Sequence, residues 1–315
     1  MTDTYMQGPT ATMDNMAVKV GPEASISENP YLRIWNELRE SKSAIIGLIV
    51  FTAFVLMAVF ASYIAPQNPY DLMQVDVMNS MLPPMARENG ILYVMGTDEQ
   101  GRDVFSAILY GLRTSLVVGF TSTAFSLAIG LCVGLCAAYS GGWIDALLMR
   151  IVDLQLGIPT ILIALILLAL FGRGVDKVIL ALVVVQWAYY ARTVRAAAIV
   201  ERNKEYIDAA VCQGLTGLQI CYIHLLRNCL PPVIVVATMQ IAHSIALEAT
   251  LSFLGVGVPI TEPSLGLLIS NGFNFMLSGD YWISFFPGLV LFMTVLSVNF
   301  VGDRLRDILN PRLKK

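Results

Sequence analysis

Residues Ser115–Tyr139 have the sequence SLVVGFTSTAFSLAIGLCVGLCAAY, which contains no charged residue over 25 positions. A helix needs about 20 consecutive apolar residues to cross the hydrocarbon core of a bilayer, and it satisfies its backbone polar groups internally. This stretch therefore predicts a transmembrane helix. Gly141-Gly142 marks its end.

The composition of the whole chain agrees with this prediction. The 315 residues are 56% hydrophobic and 14% charged, the net charge is −3, and the mean hydropathy is +0.68. Soluble globular domains contain about a quarter charged residues. The composition therefore excludes a soluble enzyme and a chain that is disordered throughout, and we expect no nucleic acid among the partners.

Five further segments have the same apolar character and are predicted to cross the membrane. They are Ala44–Ile64, Ile151–Phe171, Val178–Ala191, Cys229–Leu247 and Tyr281–Gly302. Val178–Ala191 is short, but it reaches the bilayer surface if Arg192 and Arg195 snorkel to the interface. The sequence therefore predicts an all-α, polytopic membrane protein with six transmembrane helices.

Basic residues indicate the orientation of these helices. The N-terminal tail, the 141–150 turn, the 192–227 loop and the C-terminal tail hold 15 of the 20 lysine and arginine residues. Cytoplasmic loops carry the excess of basic residues in membrane proteins. We therefore expect both termini to be cytoplasmic.

The predicted spans divide the chain into regions. These are a cytoplasmic tail with an interfacial helix (1–43), the first transmembrane helix (44–65), an external loop (66–110), a domain with the other five helices (111–303) and a cytoplasmic tail (304–315). Residues 1–29 are polar and are expected to be flexible. Leu32, Trp35 and Leu38 have helical spacing, which indicates either a helix lying on the bilayer or an extension of the first span.

The first external loop contains four proline residues, which argue against a long helix. It ends in Gly96-Thr97-Asp98-Glu99-Gln100-Gly101-Arg102-Asp103. Thr97 and Gln100 have the spacing of a capping box, which predicts a solvated helix start. The charges in this motif could instead bind a ligand.

The 201–228 loop contains a regular pattern, with residues 205–228 having the sequence EYIDAAVCQGLTGLQICYIHLLRN. Apolar residues recur on both sides of Gly214 and Gly217, which predicts a helix, a turn and a second helix. An ordered hairpin with apolar positions at Ile220, Ile223 and Leu226 is expected to dock either on a partner or on its own helix bundle.

Several residues inside the spans suggest structural roles. Gly130, Gly134 and Ala138 have the small-xxx-small spacing of close helix packing, and Pro159 and Pro287 are expected to kink their helices. Asp153 is expected to pair with Arg150 on the same helix face. The five cysteines form no CxxC pair and are interpreted as small buried side chains. With two histidines in the chain, we expect no metal site and no cofactor.

The 201–228 loop resembles the EAA motif of type I ABC importer permeases. That motif is Glu-Ala-Ala, three residues, Gly, and nine residues before Ile-x-Leu-Pro. Here Asp208-Ala209-Ala210 precedes Gly214, and His224-Leu225-Leu226-Arg227 closes the motif. Aspartate replaces glutamate, and Arg227 stands in place of the usual proline, so a less sharply broken exit from the second helix is expected.

Other motifs resemble the dipeptide/oligopeptide/nickel permease family, and the resemblance extends from Tyr31 to Arg312. They are residues 96–103 with 110–116, LSFLGVG at 251–257, and NFVGDRLRD at 299–307 with Asn310-Pro311-Arg312. The chain is similar to the second, C-type permease of such an importer.

This resemblance implies the fold of a type I ABC importer transmembrane domain in a bacterial inner membrane. The implied partners are a second homologous permease, two ATP-binding subunits and an external solute-binding protein. A peptide-like substrate is implied first, with nickel chelates, glutathione or other small solutes as alternatives. The chain lacks a GxxxxGK[ST] phosphate loop, so ATP is expected to bind the partner subunits, and this chain is expected not to be an enzyme.

The resemblance also implies roles for particular residues. The hairpin would be the coupling element that fits a cleft on an ATPase subunit, through Asp208, Ala209, Ala210, Gly214, Gly217 and Leu226.

Glu248 has no basic residue within two helical turns, and an ionisable residue in a span indicates function. With Ser252, Glu248 is expected either to line the translocation path or gate, or to pair with the partner permease.

Two other classes of protein remain as alternatives. A membrane-embedded hydrolase would need a nucleophile and a base within the spans, and His243 lies near Ser244 and Ser252 in the sequence. A stand-alone channel or secondary transporter would have no use for the hairpin.

Overall fold

The computed structural model describes residues 30–69, 71, 73, 75–88, 90–259 and 261–309, with side chains from Trp35 onward. The tail predicted to be flexible (1–29), the side chain of Leu32 and the Asn310-Pro311-Arg312 motif lie outside the described residues.

Helices form nearly all of the described secondary structure, as predicted. They are α1 (Pro30–Arg39), α2 (Lys42–Val59), α3 (Ala61–Ile64), α4 (Val104–Ser140), α5 (Gly142–Gly157), α6 (Thr160–Phe171), α7 (Val175–Arg202), α8 (Glu205–Cys212), α9 (Gly217–Gln219), α10 (Leu226–Phe253), α11 (Leu265–Phe273) and α12 (Trp282–Leu309). A π-helical segment, Ile220–Leu225, joins α9 to α10, and short 3₁₀ turns occur at Val77–Asn79 and Met276–Ser278. Strands β1 (Ala86–Glu88) and β2 (Ile91–Tyr93) form an antiparallel hairpin in the segment between α3 and α4.

Five helical segments of the described chain are long and apolar enough to cross a membrane. They are α2, α4, α7, the continuous stretch Gly217–Phe253, and α12. A sixth span is obtained if α5 and α6, which meet at an angle of 89°, are counted as one broken span. The kink expected at Pro159 within the predicted span Ile151–Phe171 is a full break in the helix. Pro159 breaks it because proline lacks an N–H and forces Ile158 into an extended conformation.

The most extensive helix contact joins α4 to α7. A Cβ atom added at Gly130 would lie 2.3 Å from Cβ of Tyr190, and one at Gly134 would lie 2.6 Å from the carbonyl oxygen of Ala191. The predicted close packing of these glycines is confirmed. α7 also continues past Ala191 to Arg202, as the short span required.

Helix α1 is separate from the first span. Ser41 caps α2 by accepting a hydrogen bond from the backbone N–H of Ala44, so α1 is not a simple extension of α2. At the other end of the chain, Arg304 of α12 donates two hydrogen bonds to the carbonyl oxygen of Glu37, at 2.8 and 3.2 Å. The start of α2 and the end of α12 therefore lie at the same end of the bundle.

The Gly96–Asp103 motif forms a buried loop rather than a solvated helix start. The predicted capping box is wrong because the Thr97 hydroxyl is used within the loop, accepting from Leu82 N–H and donating to the carbonyl oxygen of Asn79. The cap of α4 is instead Asp103, which accepts from Ser106 N–H at 2.9 Å. Burial raises the pKa of the Asp103 carboxyl.

This loop is held by internal contacts and is also hydrogen-bonded to the start of α12. Asp98 accepts hydrogen bonds from the backbone N–H groups of Gln100 and Arg102 and pairs with the Arg102 guanidinium at 2.7 Å. The indole N–H of Trp282, the first residue of α12, donates to the carbonyl oxygen of Thr97. Asp98 and Arg102 therefore have structural partners, whereas Oδ1 of Asp103 has no hydrogen-bond partner among the described residues.

Helix α11 is a short buried helix that the hydropathy pattern does not predict. Its cap is Ser264, and Gly266 lies against the backbone of Ala249 in α10, where an added Cβ would be 2.1 Å from the carbonyl oxygen. Nine residues are too few for a span, so the hydropathy pattern did not separate this helix from a loop.

Candidate functional site

The 201–228 segment forms the predicted helical hairpin. Helix α8 ends at Cys212, the chain turns at Gly214 with φ of +81°, and α9 begins at Gly217. Gln219 accepts hydrogen bonds from the backbone N–H and the hydroxyl of Thr216, which fixes the start of the second helix. Glycine suits the turn because a positive φ strains residues that carry a Cβ.

One face of the hairpin packs on its own bundle. Ile207, Ile220 and Leu225 are buried together with Leu135 and Tyr139 of α4. An added Cβ at Gly217 would lie 2.5 Å from the Tyr139 ring, so glycine is required for this contact.

Hydrogen bonds hold the two ends of the hairpin. Arg202 donates to the carbonyl oxygen of Ala138 at 2.7 Å, and its guanidinium lies 5.4 Å from the centre of the Tyr139 ring. The Tyr206 hydroxyl donates to Glu201 at 2.7 Å and accepts from Asn228 at 2.9 Å. Burial and the neighbouring Glu201 carboxylate raise the pKa of the Tyr206 hydroxyl.

The other face of the hairpin is exposed and apolar. Val211, Leu218, Tyr222 and Ile223, here named the outer face, are all exposed, Leu218 to 85% and Tyr222 to 75%. Large exposed apolar patches typically mark protein or membrane interaction sites. Among the described residues, one face of the hairpin therefore contacts the bundle, and the other face is exposed.

The predicted coupling residues divide between these two faces. Asp208, Ala209 and Gly214 are exposed. Ala210 is buried, and Gly217 and Leu226 are partly buried, so these three support the hairpin from its inner side. The side chains with the largest exposed apolar surface, Leu218 and Tyr222, were missed because the motif is defined by its small residues.

The second helix of the hairpin and the fifth span are one continuous helix. Helical structure runs from Gly217 to Phe253 through the π segment, so the predicted span Cys229–Leu247 has no separate helix start. The less sharply broken exit expected at Arg227 agrees with this continuity, and Pro231-Pro232 lie within α10 without ending it. Single-turn π segments inside α-helices occur frequently at functional sites.

Glu248 lies near the far end of this continuous helix and is completely buried. Its carboxyl oxygens accept hydrogen bonds from Ser115 of α4 at 2.7 Å and Ser252 of α10 at 2.8 Å. Ser264, the cap of α11, also hydrogen-bonds to it. Among the described residues, no basic side chain pairs with Glu248, which contacts neither an open path nor the surface in this conformation.

Other sequence predictions in the spans need correction. Asp153 pairs with Arg192, not Arg150, and Asp145 pairs with Arg195, because α5 packs beside α7. Arg192 and Arg195 therefore have carboxylate partners. The prediction that all cysteines are buried is wrong: Cys229 is buried, Cys221 is partly buried, and Cys132, Cys136 and Cys212 are exposed.

The hydrolase alternative receives no support from geometry. Ser244 is buried, where it hydrogen-bonds to Gln186 of α7 and to the carbonyl oxygen of Gln240. His243, the residue before it on the same helix, is exposed. Ser252 is hydrogen-bonded to Glu248 rather than to a histidine.

Comparisons with known proteins agree with this architecture. The family model of the binding-protein-dependent transport system inner membrane component matches residues 130–315, and that of the N-terminal TM domain of oligopeptide transport permease C matches residues 29–84.

Similar proteins cover almost the whole chain. The dipeptide transport system permease protein DppC of Escherichia coli K12 is 38% identical over 93% of this chain and 96% of its own. That of Haemophilus influenzae is 36% identical over 91% and 97%, respectively.

Among solved structures, an inward-facing MetNI methionine ABC transporter matches 65% of this chain and 97% of its own with a TM-score of 0.54 and 23% identity. The predicted fold of a type I ABC importer permease is confirmed. The chain belongs to the family of binding-protein-dependent transport system inner membrane components.

Proposed function

We propose that this chain is the C-type permease subunit of an ATP-driven importer of dipeptides and oligopeptides. The names of relatives that align with nearly the whole chain support peptides as the substrate. The alternatives are nickel chelates, glutathione or other small solutes carried by the same machinery.

The proposed complex contains a second homologous permease, two ATP-binding subunits and an external solute-binding protein. The outer face of the hairpin is the proposed docking site of one ATP-binding subunit, in the cytoplasm. ATP is bound and hydrolysed there, so this chain needs no catalytic residue and no cofactor of its own.

The observation that carries this proposal is the continuity of Gly217–Phe253. Gly217 contacts Tyr139 near one end of α4, whereas Glu248 contacts Ser115 near the other end. Those two positions on α4 are 24 residues apart, or about 36 Å at 1.5 Å per residue. A displacement of the hairpin by the ATP-binding subunit is therefore carried to the Glu248 contacts at the external end.

This geometry accounts for alternating access. Buried polar contacts join α10 to its neighbours at two levels, at Ser244 with Gln186 and at Glu248 with Ser115. Closely packed helices joined by such contacts exchange between discrete arrangements rather than deforming continuously. Nucleotide binding in the partner subunits would select between an inward-open and an outward-open arrangement.

The experiment that tests this function is a substitution on the outer face. Leu218→Asp places a charge on the docking surface without touching the buried side of the hairpin. We expect loss of the ATP-binding subunits from the purified complex and loss of ATP-dependent dialanine uptake in proteoliposomes. Leu277→Asp is the matched control, since Leu277 is fully exposed at the opposite end of the bundle.

Normal uptake by the Leu218→Asp complex would contradict the proposed coupling. Uptake of dialanine by this chain alone, without nucleotide, would contradict the proposed importer.

A further inference from the structure

A cavity of about 240 Å³ opens at the external end of the bundle, between α4, the start of α7 and the segment before α11. Its lining residues are Tyr110, Arg113, Thr114, Val117, Val175 and Glu262. Pockets for complete drug-sized ligands are about 300–1,000 Å³. This cavity therefore has the size for a very small ligand or for part of a larger one.

The cavity wall contains one cation and one anion. Arg113 is the single charged residue among the 37 residues of α4, and Glu262 is held by a turn in which its N–H donates to the carbonyl oxygen of Pro259. Within the described part of the chain, neither side chain forms an ion pair, with the other or with a third residue. The opposite charges thus share a cavity at a separation greater than 4 Å.

The two charged residues of the cavity lie close in the sequence to serines that hydrogen-bond to Glu248. Arg113 precedes Ser115, the residue that donates to Glu248, by two positions on the same helix. Glu262 precedes Ser264, the cap of α11, by two positions in the same segment. A ligand that bridged Arg113 and Glu262 would therefore contact the two segments that hold Glu248 on its external side.

The chemistry of the two side chains defines the ligand that fits. A guanidinium binds a carboxylate through two parallel hydrogen bonds, and a carboxylate binds an ammonium through charge-assisted hydrogen bonds. A zwitterion with separated charges satisfies both. An extended dipeptide separates its terminal ammonium and carboxylate by about two residue lengths, or roughly 7 Å.

We infer that this cavity binds the charged termini of a short peptide as it enters the permease, with Arg113 holding the carboxylate and Glu262 the ammonium. The inference rests on the proposed function and adds a substrate contact on the membrane subunit itself. It assigns selection for free peptide termini partly to this chain.

The test is direct binding of radiolabelled dialanine to the assembled permease and ATPase complex in nanodiscs, without the solute-binding protein. We expect saturable binding at millimolar concentrations, with about tenfold weaker competition by dialanine amide and by N-acetyl-dialanine. Arg113→Gln should weaken dialanine binding about tenfold and leave binding of the amide unchanged. Glu262→Gln should weaken dialanine binding and leave binding of N-acetyl-dialanine unchanged.

Matched controls are available on the same side of the bundle. Arg173→Gln and Glu88→Gln remove exposed charges outside the cavity and should leave dialanine affinity unchanged. Absence of dialanine binding to the wild-type complex, or equal weakening of dialanine and its amide by Arg113→Gln, would overturn the inference. Loss of the second permease from the Arg113→Gln complex would also overturn it by assigning Arg113 to the subunit interface.

Failure of this inference is distinguishable from failure of the proposed function. Dialanine uptake by the complete wild-type importer tests the function. Its outcome is informative whether or not Arg113 binds the peptide. An importer that carries dialanine equally well with either variant would retain its function and lose this site.

Discussion

At the scale of single residues, Glu248 shows how a carboxyl group is tolerated inside the bundle. Ser115, Ser252 and Ser264 supply hydroxyl donors from α4, α10 and the cap of α11. A buried polar group costs little when it is fully hydrogen-bonded, and much more when its partners are removed. Glu248 thus links three segments that meet at the end of the bundle opposite the hairpin.

This arrangement predicts different effects for two substitutions. Glu248→Ala leaves buried serine hydroxyls without their acceptor, so we expect a loss of about 1–3 kcal/mol in the free energy of unfolding and reduced transport. Glu248→Gln keeps one acceptor and should retain most of the stability. Thermal unfolding of the purified complex measures the difference, with Thr250→Ala as an exposed control. Equal stability of all three variants would show that the hydroxyl contacts contribute nothing.

The glycines of α4 give a second prediction at this scale. Gly130→Ala would place a Cβ 2.3 Å from that of Tyr190, so the helices must separate, at a cost of about 1–3 kcal/mol. Gly157→Ala is the matched control, because a Cβ there meets no atom within 4 Å. Thermal unfolding should detect a loss of stability in the first variant alone. A stable Gly130→Ala variant would argue against tight α4–α7 packing.

At the scale of elements, the continuous helix from Gly217 to Phe253 joins the hairpin to the Glu248 contacts. Its ability to transmit displacement depends on its stiffness between the π segment and Pro231. Arg227 and Asn228 are exposed in this interval, so substitutions there change the helix backbone more than its packing.

A double glycine substitution tests this stiffness. Arg227→Gly with Asn228→Gly should weaken the helix by about 1 kcal/mol per residue relative to alanine. We expect fewer peptides imported per ATP hydrolysed, with the ATP-binding subunits still attached. Arg227→Ala with Asn228→Ala removes the same side chains, including the Asn228–Tyr206 hydrogen bond, and should keep the wild-type ratio. Equal ratios in the two double variants would exclude the helix as the coupling element.

Sequence patterns predicted some elements better than others, for physical reasons. Long apolar runs identified the helices, and the glycine spacing identified the hairpin and the close packing of α4, because these signals are local. The partner of α4 in that packing, α7, came from the structure. The break at Pro159 was expected as a kink, but its angle of 89° depends on how α5 and α6 pack. Helix α11 and the serine contacts of Glu248 arise from segments far apart in the chain, which hydropathy cannot bring together.

At the scale of the whole molecule, the two ends of the bundle have different structures. One end carries the hairpin, with a buried face on α4 and an exposed outer face. The other end carries the buried Gly96–Asp103 loop, which Trp282 connects to α12, and the cavity between Arg113 and Glu262. This division suits a permease that receives substrate at one end and contacts ATP-binding subunits at the other.

The most direct test of the coupling proposal is photo-crosslinking from position 218 in the assembled importer. A photoreactive amino acid in place of Leu218 should crosslink to an ATP-binding subunit, because that side chain is 85% exposed on the outer face. The same residue in place of Leu277 should give no such crosslink. A crosslink from position 218 to the external solute-binding protein, or to no other polypeptide, would contradict the account.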